Sequence, residues 1–153
     1  MRFTHLLFLS CCAACAFGQS RRAGYAFFSV DRPASASFAD VVAVGAGGEV
    51  LLYRGLGLGA DLGYQFARGS AGNGVGLGSL GGVYHIARGG KVVPFVTGGY
   101  GIAFRSGHLN LYHFGGGINY WFLRRLGLRA ELREFRHRHG EYVLAFRLGL
   151  AFR

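Results

Sequence analysis

The chain of 153 residues is 51% hydrophobic and 15% aromatic, yet it holds 28 glycines, only 16% charged residues and a net charge of +10. That apolar surface has to be hidden, and no stretch beyond residue 20 approaches the roughly 20 consecutive apolar residues of a membrane helix, so a helical membrane protein is excluded. The remaining way to cross a bilayer with every backbone group bonded is a closed β-barrel.

Met1-Arg2-Phe3-Thr4-His5 is a short basic start, and the apolar stretch from Leu6 to Phe17 is too short to span a membrane permanently. This is the pattern of a secretory signal peptide. Ala16 and Gly18 suit the positions before a signal-peptidase site, so cleavage is expected after Gly18, with Ala16 as the second site. Residues 1–18 are then the leader and 19–153 a single barrel domain. Cys11, Cys12 and Cys15, all the cysteines of the chain, fall in the leader, which leaves no thiol for a disulfide, a metal or a nucleophile. Cys12 stands where a lipoprotein signal would need Leu, so lipidation at Cys15 is set aside.

A strand with lipid on one side and a polar interior on the other alternates with period two. In 24–30, 40–53 and 74–86 glycines and apolar residues occupy both parities, so the face is left open there. Segment 56–66 separates cleanly: Leu56, Leu58, Ala60, Leu62, Tyr64 and Phe66 fall on one side, and Gly57, Gly59, Asp61, Gly63 and Gln65 on the other. Segment 92–104 places Val92, Val96, Tyr100, Ile102 and Phe104 outward, with Phe95 an inward blemish. In 112–122, Tyr112, Phe114, Ile118, Tyr120 and Phe122 oppose His113, Gly115, Gly117 and Asn119. In 126–132, Leu126, Leu128, Ala130 and Leu132 oppose Gly127, Arg129 and Glu131. Segment 142–152 sets Tyr142, Leu144, Phe146, Leu148, Leu150 and Phe152 against Val143, Ala145, Arg147, Gly149 and Ala151.

The connections at 54–55, 87–91 and 123–125 are tight, whereas 31–39, 68–73, 105–110 and 137–140 are mostly longer and more polar. The expectation is an all-β, eight-stranded antiparallel up-and-down transmembrane barrel, with both termini on the short-turn, periplasmic side.

Residues 23–153 resemble the outer membrane protein β-barrel domain family, the small barrels grouped around OmpA and OmpX. The likeness is strongest in 115–122 (GGGINYWF), 126–133 (LGLRAELR) and the last strand. It implies a place in the bacterial outer membrane and recognition by the barrel-assembly machinery through the last strand, where Arg147, Gly149 and Phe152 match the sorting pattern in register. The terminal aromatic of that pattern is absent, because the chain stops at Arg153.

Gly76-Leu77-Gly78-Ser79-Leu80-Gly81 spells a dinucleotide fingerprint, but glycine alternates on both sides and no amphipathic helix follows, so the glycines are read as room inside a narrow barrel. No cofactor is expected. The bases are spread singly over turns and loops, which argues against nucleic acid. Arg68, Arg105, His108, Arg136, His137, Arg138 and His139 would gather at the outer rim, either as a solvated edge or as a contact for lipopolysaccharide phosphates, with Arg68, Arg105, Arg136 and Arg138 the candidate contacts.

His137-Arg138-His139-Gly140-Glu141 resembles the rim of lipid A deacylases, eight-stranded barrels with a His-x-Ser pair. His139 occupies the nucleophile position and cannot form an acyl-serine. Two histidines without a third ligand do not make a zinc site.

On the same parity the interior contains Glu49, Asp61 and Glu131 against Arg129, Arg133 and Arg147. Buried charges persist when paired, and eight strands enclose a space that side chains can fill, so a salt-bridged plug is favoured over a polar lining for water or ions. The last hairpin lets either Glu131 or Arg129 face Arg147, and opposite charge favours Glu131. The turn at 54–55 is expected to set Glu49 across from Asp61, a pair that needs a cation from Arg129 or Arg133. The function expected is a monomeric, non-catalytic envelope component. The alternatives are a narrow channel or solute carrier, and a lipid A-modifying enzyme; a soluble lipocalin-like barrel would reverse the faces.

Overall fold

A computed structural model describes residues 22–33, 41–67, 69–87, 89–105, 107–137 and 142–153; the expected leader, 1–18, lies outside them. Eight strands form one closed antiparallel barrel in sequence order: β1 (Arg22–Pro33), β2 (Val41–Tyr53), β3 (Leu56–Ala67), β4 (Val75–His85), β5 (Val92–Phe104), β6 (His108–Trp121), β7 (Leu126–His137) and β8 (Tyr142–Phe152). The single 3-10 turn among the described residues, Ala71–Asn73, sits between β3 and β4. No described helix is long and apolar enough to cross a membrane.

Period two sets the two faces. Even-numbered side chains point outward and odd-numbered ones inward, so Leu62 is 67% exposed beside Asp61 at 5%. The three segments left open by parity obey the same rule. Phe28 and Val30 of β1, Val44 and Val50 of β2, and Leu80 and Tyr84 of β4 face out, while Tyr25, Phe27, Ala43, Glu49, Leu77, Val83 and His85 are buried. The outer face is apolar because its neighbour is hydrocarbon, the inverse of a soluble barrel.

Three strands run well past their expected bounds: β1 reaches Pro33, β6 begins at His108 and β7 continues to His137, which draws Asp31, His108 and His137 out of expected loops and into strands. Phe135 is buried inside, and the outward Glu134 and Arg136 pair with each other, so the charged run 133–137 still alternates.

The turn between β2 and β3 corrects an expected register. Arg54 (φ 44°) and Gly55 (φ 93°) both adopt positive φ, as a tight two-residue hairpin demands. Such a turn pairs odd Tyr53 with even Leu56, which would set outward residues against inward ones along the whole hairpin. An irregularity between Leu51 and Tyr53 restores the faces by one residue. Glu49 consequently faces Gly59, and Asp61 faces Gly47, so the two carboxylates are not directly opposed. In the last hairpin Glu131 does face Arg147.

Followed around the barrel, the register passes from Ala23 through Glu49, Gly59, Gly81, Gly99, His113, Phe135 and Val143 and returns to β1 at Pro33, ten residues further on. For eight strands this stagger corresponds to a tilt of about 40°. It brings side chains that are remote in sequence to the same height. Interior glycines make the space: a Cβ on Gly45 would lie 2.5 Å from the Phe27 ring, and one on Gly117 would lie 2.9 Å from the Phe95 ring and 2.1 Å from the Ala130 carbonyl.

Candidate functional site

Two apolar clusters bracket a polar interior. Towards the termini lie Tyr25, Phe27, Val93, Trp121 and Ala151. Towards the longer loops lie Leu77, Phe135 and Ala145, with Ala103, Leu111 and Val143 packed on them.

Between the clusters, the six charges assigned to the interior by parity are all buried and stand in one chain of contacts. Arg129 Nη1 lies 3.1 Å from Glu49 Oε2, and Arg129 Nε lies 3.3 Å from Glu131 Oε2. Arg133 Nε donates to Glu131 Oε1 at 2.6 Å, and Arg133 Nη1 donates to Asp61 Oδ2 at 2.7 Å. Arg147 Nη1 reaches Asp61 Oδ1 at 3.4 Å. Arg129 and Arg133 thus divide the two carboxylates, Arg129 taking Glu49 and Arg133 taking Asp61. Although Glu131 faces Arg147 in register, its two oxygens accept from Arg129 and Arg133 of its own strand, and Arg147 turns to Asp61.

Neutral partners complete the set. Asp61 accepts from the Tyr25 hydroxyl at 3.3 Å, and Arg133 Nη1 also lies 3.1 Å from Ser79 Oγ. The guanidinium groups rest on aromatic faces: Arg129 is 3.9 Å from the Phe95 ring centre and 4.2 Å from Tyr25, and Arg147 is 4.3 Å from Phe27. Inward Phe95 is therefore part of the cation's packing rather than a fault in the alternation.

Sequence reasoning missed two members. Asp31 is 4% exposed, held by Ser29 and by Gln65 Nε2 at 2.6 Å, and His85 Nε2 lies 2.8 Å from Glu49 Oε1 without the alignment of a hydrogen bond. Asp31 falls at the start of the expected 31–39 loop, and His85 in a segment whose face parity leaves open. Odd parity carried through to both strand ends would have found them. With them, four carboxylates (Asp31, Glu49, Asp61, Glu131) share the buried interior with three arginines and two histidines, His85 and His113. A cavity of about 10 Å³ remains beside Asp61, Ser79, His113 and Arg133, room for about one water.

At the loop end, Arg105 Nη2 donates to Asn73 Oδ1 at 2.6 Å, and Arg136 pairs with Glu134 and lies 5.5 Å from the Phe114 ring. Arg68, Arg138, His139 and Glu141 lie outside the described residues. In the proposed sorting strand, Gly149 faces Phe27 on one side and Arg129 on the other, while Phe152 points outward across Gly24. The opposite rim is also basic, with exposed Arg22, Arg54, Lys91, Arg124, Arg125 and Arg153. The Arg153 guanidinium sits 4.3 Å from the Trp121 ring.

No protein-family model matches the chain, and no curated protein matches it in sequence. Solved structures do match in shape. The N-terminal β-barrel domain of Pseudomonas aeruginosa OprF superposes with a TM-score of 0.64 at 19% identity, covering 88% of this chain and 100% of that one. A de novo designed transmembrane β-barrel gives 0.66 at 15% identity, over 89% and 97% of the two chains. Ail, the attachment invasion locus protein of Yersinia pestis, gives 0.60 at 11% identity, over 88% and 99%. The fold is that of the small outer-membrane barrels. At these identities the likeness concerns fold, and activity has to be argued from the residues.

Proposed function

We propose that this chain is a monomeric, non-catalytic component of the outer membrane of a Gram-negative-type bacterium, a barrel whose interior is closed by its own ion pairs. The observation that carries this reading is the chain of contacts from His85 and Glu49 through Arg129, Glu131 and Arg133 to Asp61 and Arg147. An ion passing along the axis would have to separate paired charges in a space where water cannot replace the lost partners. The cavity beside Asp61, Ser79, His113 and Arg133, about 10 Å³, has room for about one water.

The orientation belongs to the same reading. The two longest connections, 34–40 and 68–74, lie at the end opposite the termini, which suits periplasmic termini, delivery by the leader at 1–18 and insertion by the barrel-assembly machinery through Gly149 and Phe152. Arg105 and Arg136 then stand at the outer rim, where lipopolysaccharide phosphates would meet them.

The test is single-channel recording of the refolded barrel in planar bilayers, with heat-modifiable migration as the folding control. A folded wild type is expected to show no steady conductance. A large, steady conductance would favour the narrow-channel alternative and overturn the closed interior.

A further inference from the structure

Most of the outer face is a continuous band of large apolar side chains, but it is interrupted over β2–β5. There a groove of about 600 Å³, within the range of small-ligand sites, has Ala46, Ala60 and Gly78 as its floor and Leu62, Leu80, Tyr100, Ile102 and Phe104 as its walls. The floor is open at Gly78: an added Cβ would meet only Leu62 Cδ2, at 3.3 Å. The loop end is closed, because the Phe104 ring lies over Gly76 with its edge 2.1 Å from where a Cβ would stand. The flanking strands β3 and β5 are two strand spacings apart, about 10 Å, and the wall side chains stand within that gap.

A polar group is fixed just beyond the closed end. Arg105 directly follows Phe104, and its guanidinium is held by Asn73 at 2.6 Å. The Asn73 turn is itself pinned by Tyr64, whose hydroxyl donates to the Ala71 carbonyl at 2.8 Å and accepts from the Gly74 amide at 2.9 Å. An apolar groove with an immobilised exposed cation at its headgroup end is complementary to a phosphorylated lipid.

We propose that this groove seats one acyl chain of lipid A, with a lipid A phosphate on Arg105. The proposal rests on the outer-membrane reading, because it takes the loop end to face the lipopolysaccharide leaflet. A second copy of the barrel fits less well: Leu62 and Leu80, 67% and 62% exposed, stand up along the groove and hold a like convex surface away from its floor.

The probe is diphosphoryl lipid A in phosphatidylcholine nanodiscs carrying the refolded barrel, read by native mass spectrometry after detergent extraction. A parallel set holds phosphatidylglycerol in place of lipid A. Wild type is expected to retain one lipid A per barrel and little phosphatidylglycerol. Gly78→Leu, which fills the floor, and Ala60→Leu, a second way to fill it, should each lower retention about ten-fold, the worth of about two methylenes kept from the groove. Gly82→Leu, also outward on β4 but beyond the groove, should leave retention unchanged. Arg105→Gln should lower retention of diphosphoryl lipid A but not of the dephosphorylated form.

Equal retention by wild type, Gly78→Leu and Ala60→Leu would overturn the groove. So would a dimer that disappears on filling the floor. A wild type that folds with heat-modifiable migration yet holds no lipid A defeats only this inference, whereas one that fails to fold in lipid defeats the outer-membrane reading as well.

Discussion

Removing Arg133 is the sharpest test of what holds the interior together. Its side chain is 2% exposed and makes the two shortest ion pairs among the described buried groups, 2.6 Å to Glu131 and 2.7 Å to Asp61. Arg133→Met keeps much of the volume and removes the charge. Glu131 would then keep Arg129 at 3.3 Å, and Asp61 would keep Arg147 at 3.4 Å together with the hydroxyls of Tyr25 and Ser79. Breaking a buried pair from one side costs about 3–5 kcal/mol, since it leaves charge behind without compensation. The destabilisation should fall in that range, in urea titrations of the barrel in lipid vesicles followed by Trp121 fluorescence. Adding Asp61→Asn removes one of the stranded carboxylates, so the double variant should be less destabilised than the sum of the singles, with a coupling of at least about 1 kcal/mol. A loss below about 1 kcal/mol for Arg133→Met, or strict additivity with Asp61→Asn, would refute the reasoning that these contacts carry the closure.

Three further outcomes follow from the geometry. Leu148→Arg, outward near the middle of β8, should cost about 2–4 kcal/mol in the same titrations, whereas Phe152→Arg at the rim should cost at most about 1 kcal/mol; equal costs would contradict a lipid-facing even parity. Gly117→Val should abolish heat-modifiable migration, because its Cβ would stand 2.1 Å from the Ala130 carbonyl, while Gly59→Ala, whose nearest neighbour would be 3.7 Å away, should migrate as wild type. Neutralising Arg105 and Arg136 together should weaken binding to lipid A vesicles more at low salt than at high salt; unchanged binding would reduce both to a solvated edge.

Local information was sufficient for much of this fold. Alternation with period two is a property of each strand alone, so the outward sets at 56–66 and 142–152, and with them the count of eight strands, could be read without knowing any partner. The facing of Glu131 and Arg147 was equally local, since one short loop and one pair of opposite charges settle it. The β2–β3 hairpin shows where such reasoning fails. A two-residue turn conflicts with the parity of its own strands, and only the paired backbone reveals the irregular residue that resolves the conflict and separates Glu49 from Asp61.

Partner choice in the interior required the closed barrel. Arg129 and Glu49 are 80 residues apart, and Arg133 and Asp61 are 72 apart. They meet because the stagger carries the register ten residues along β1 on closure, a global quantity that no single hairpin contains. The registers of two neighbouring hairpins likewise gather Ala46, Ala60 and Gly78 around Leu62, although in the sequence each is merely a small residue at an even position. Sequence alone determined the faces of β3 and β5 to β8, because alternation follows from backbone geometry within a strand, whereas in β1, β2 and β4 small and apolar residues on both parities left the choice to the closed barrel. Which side chains then share a height and touch was decided by the tilt, because it depends on how all eight strands close together.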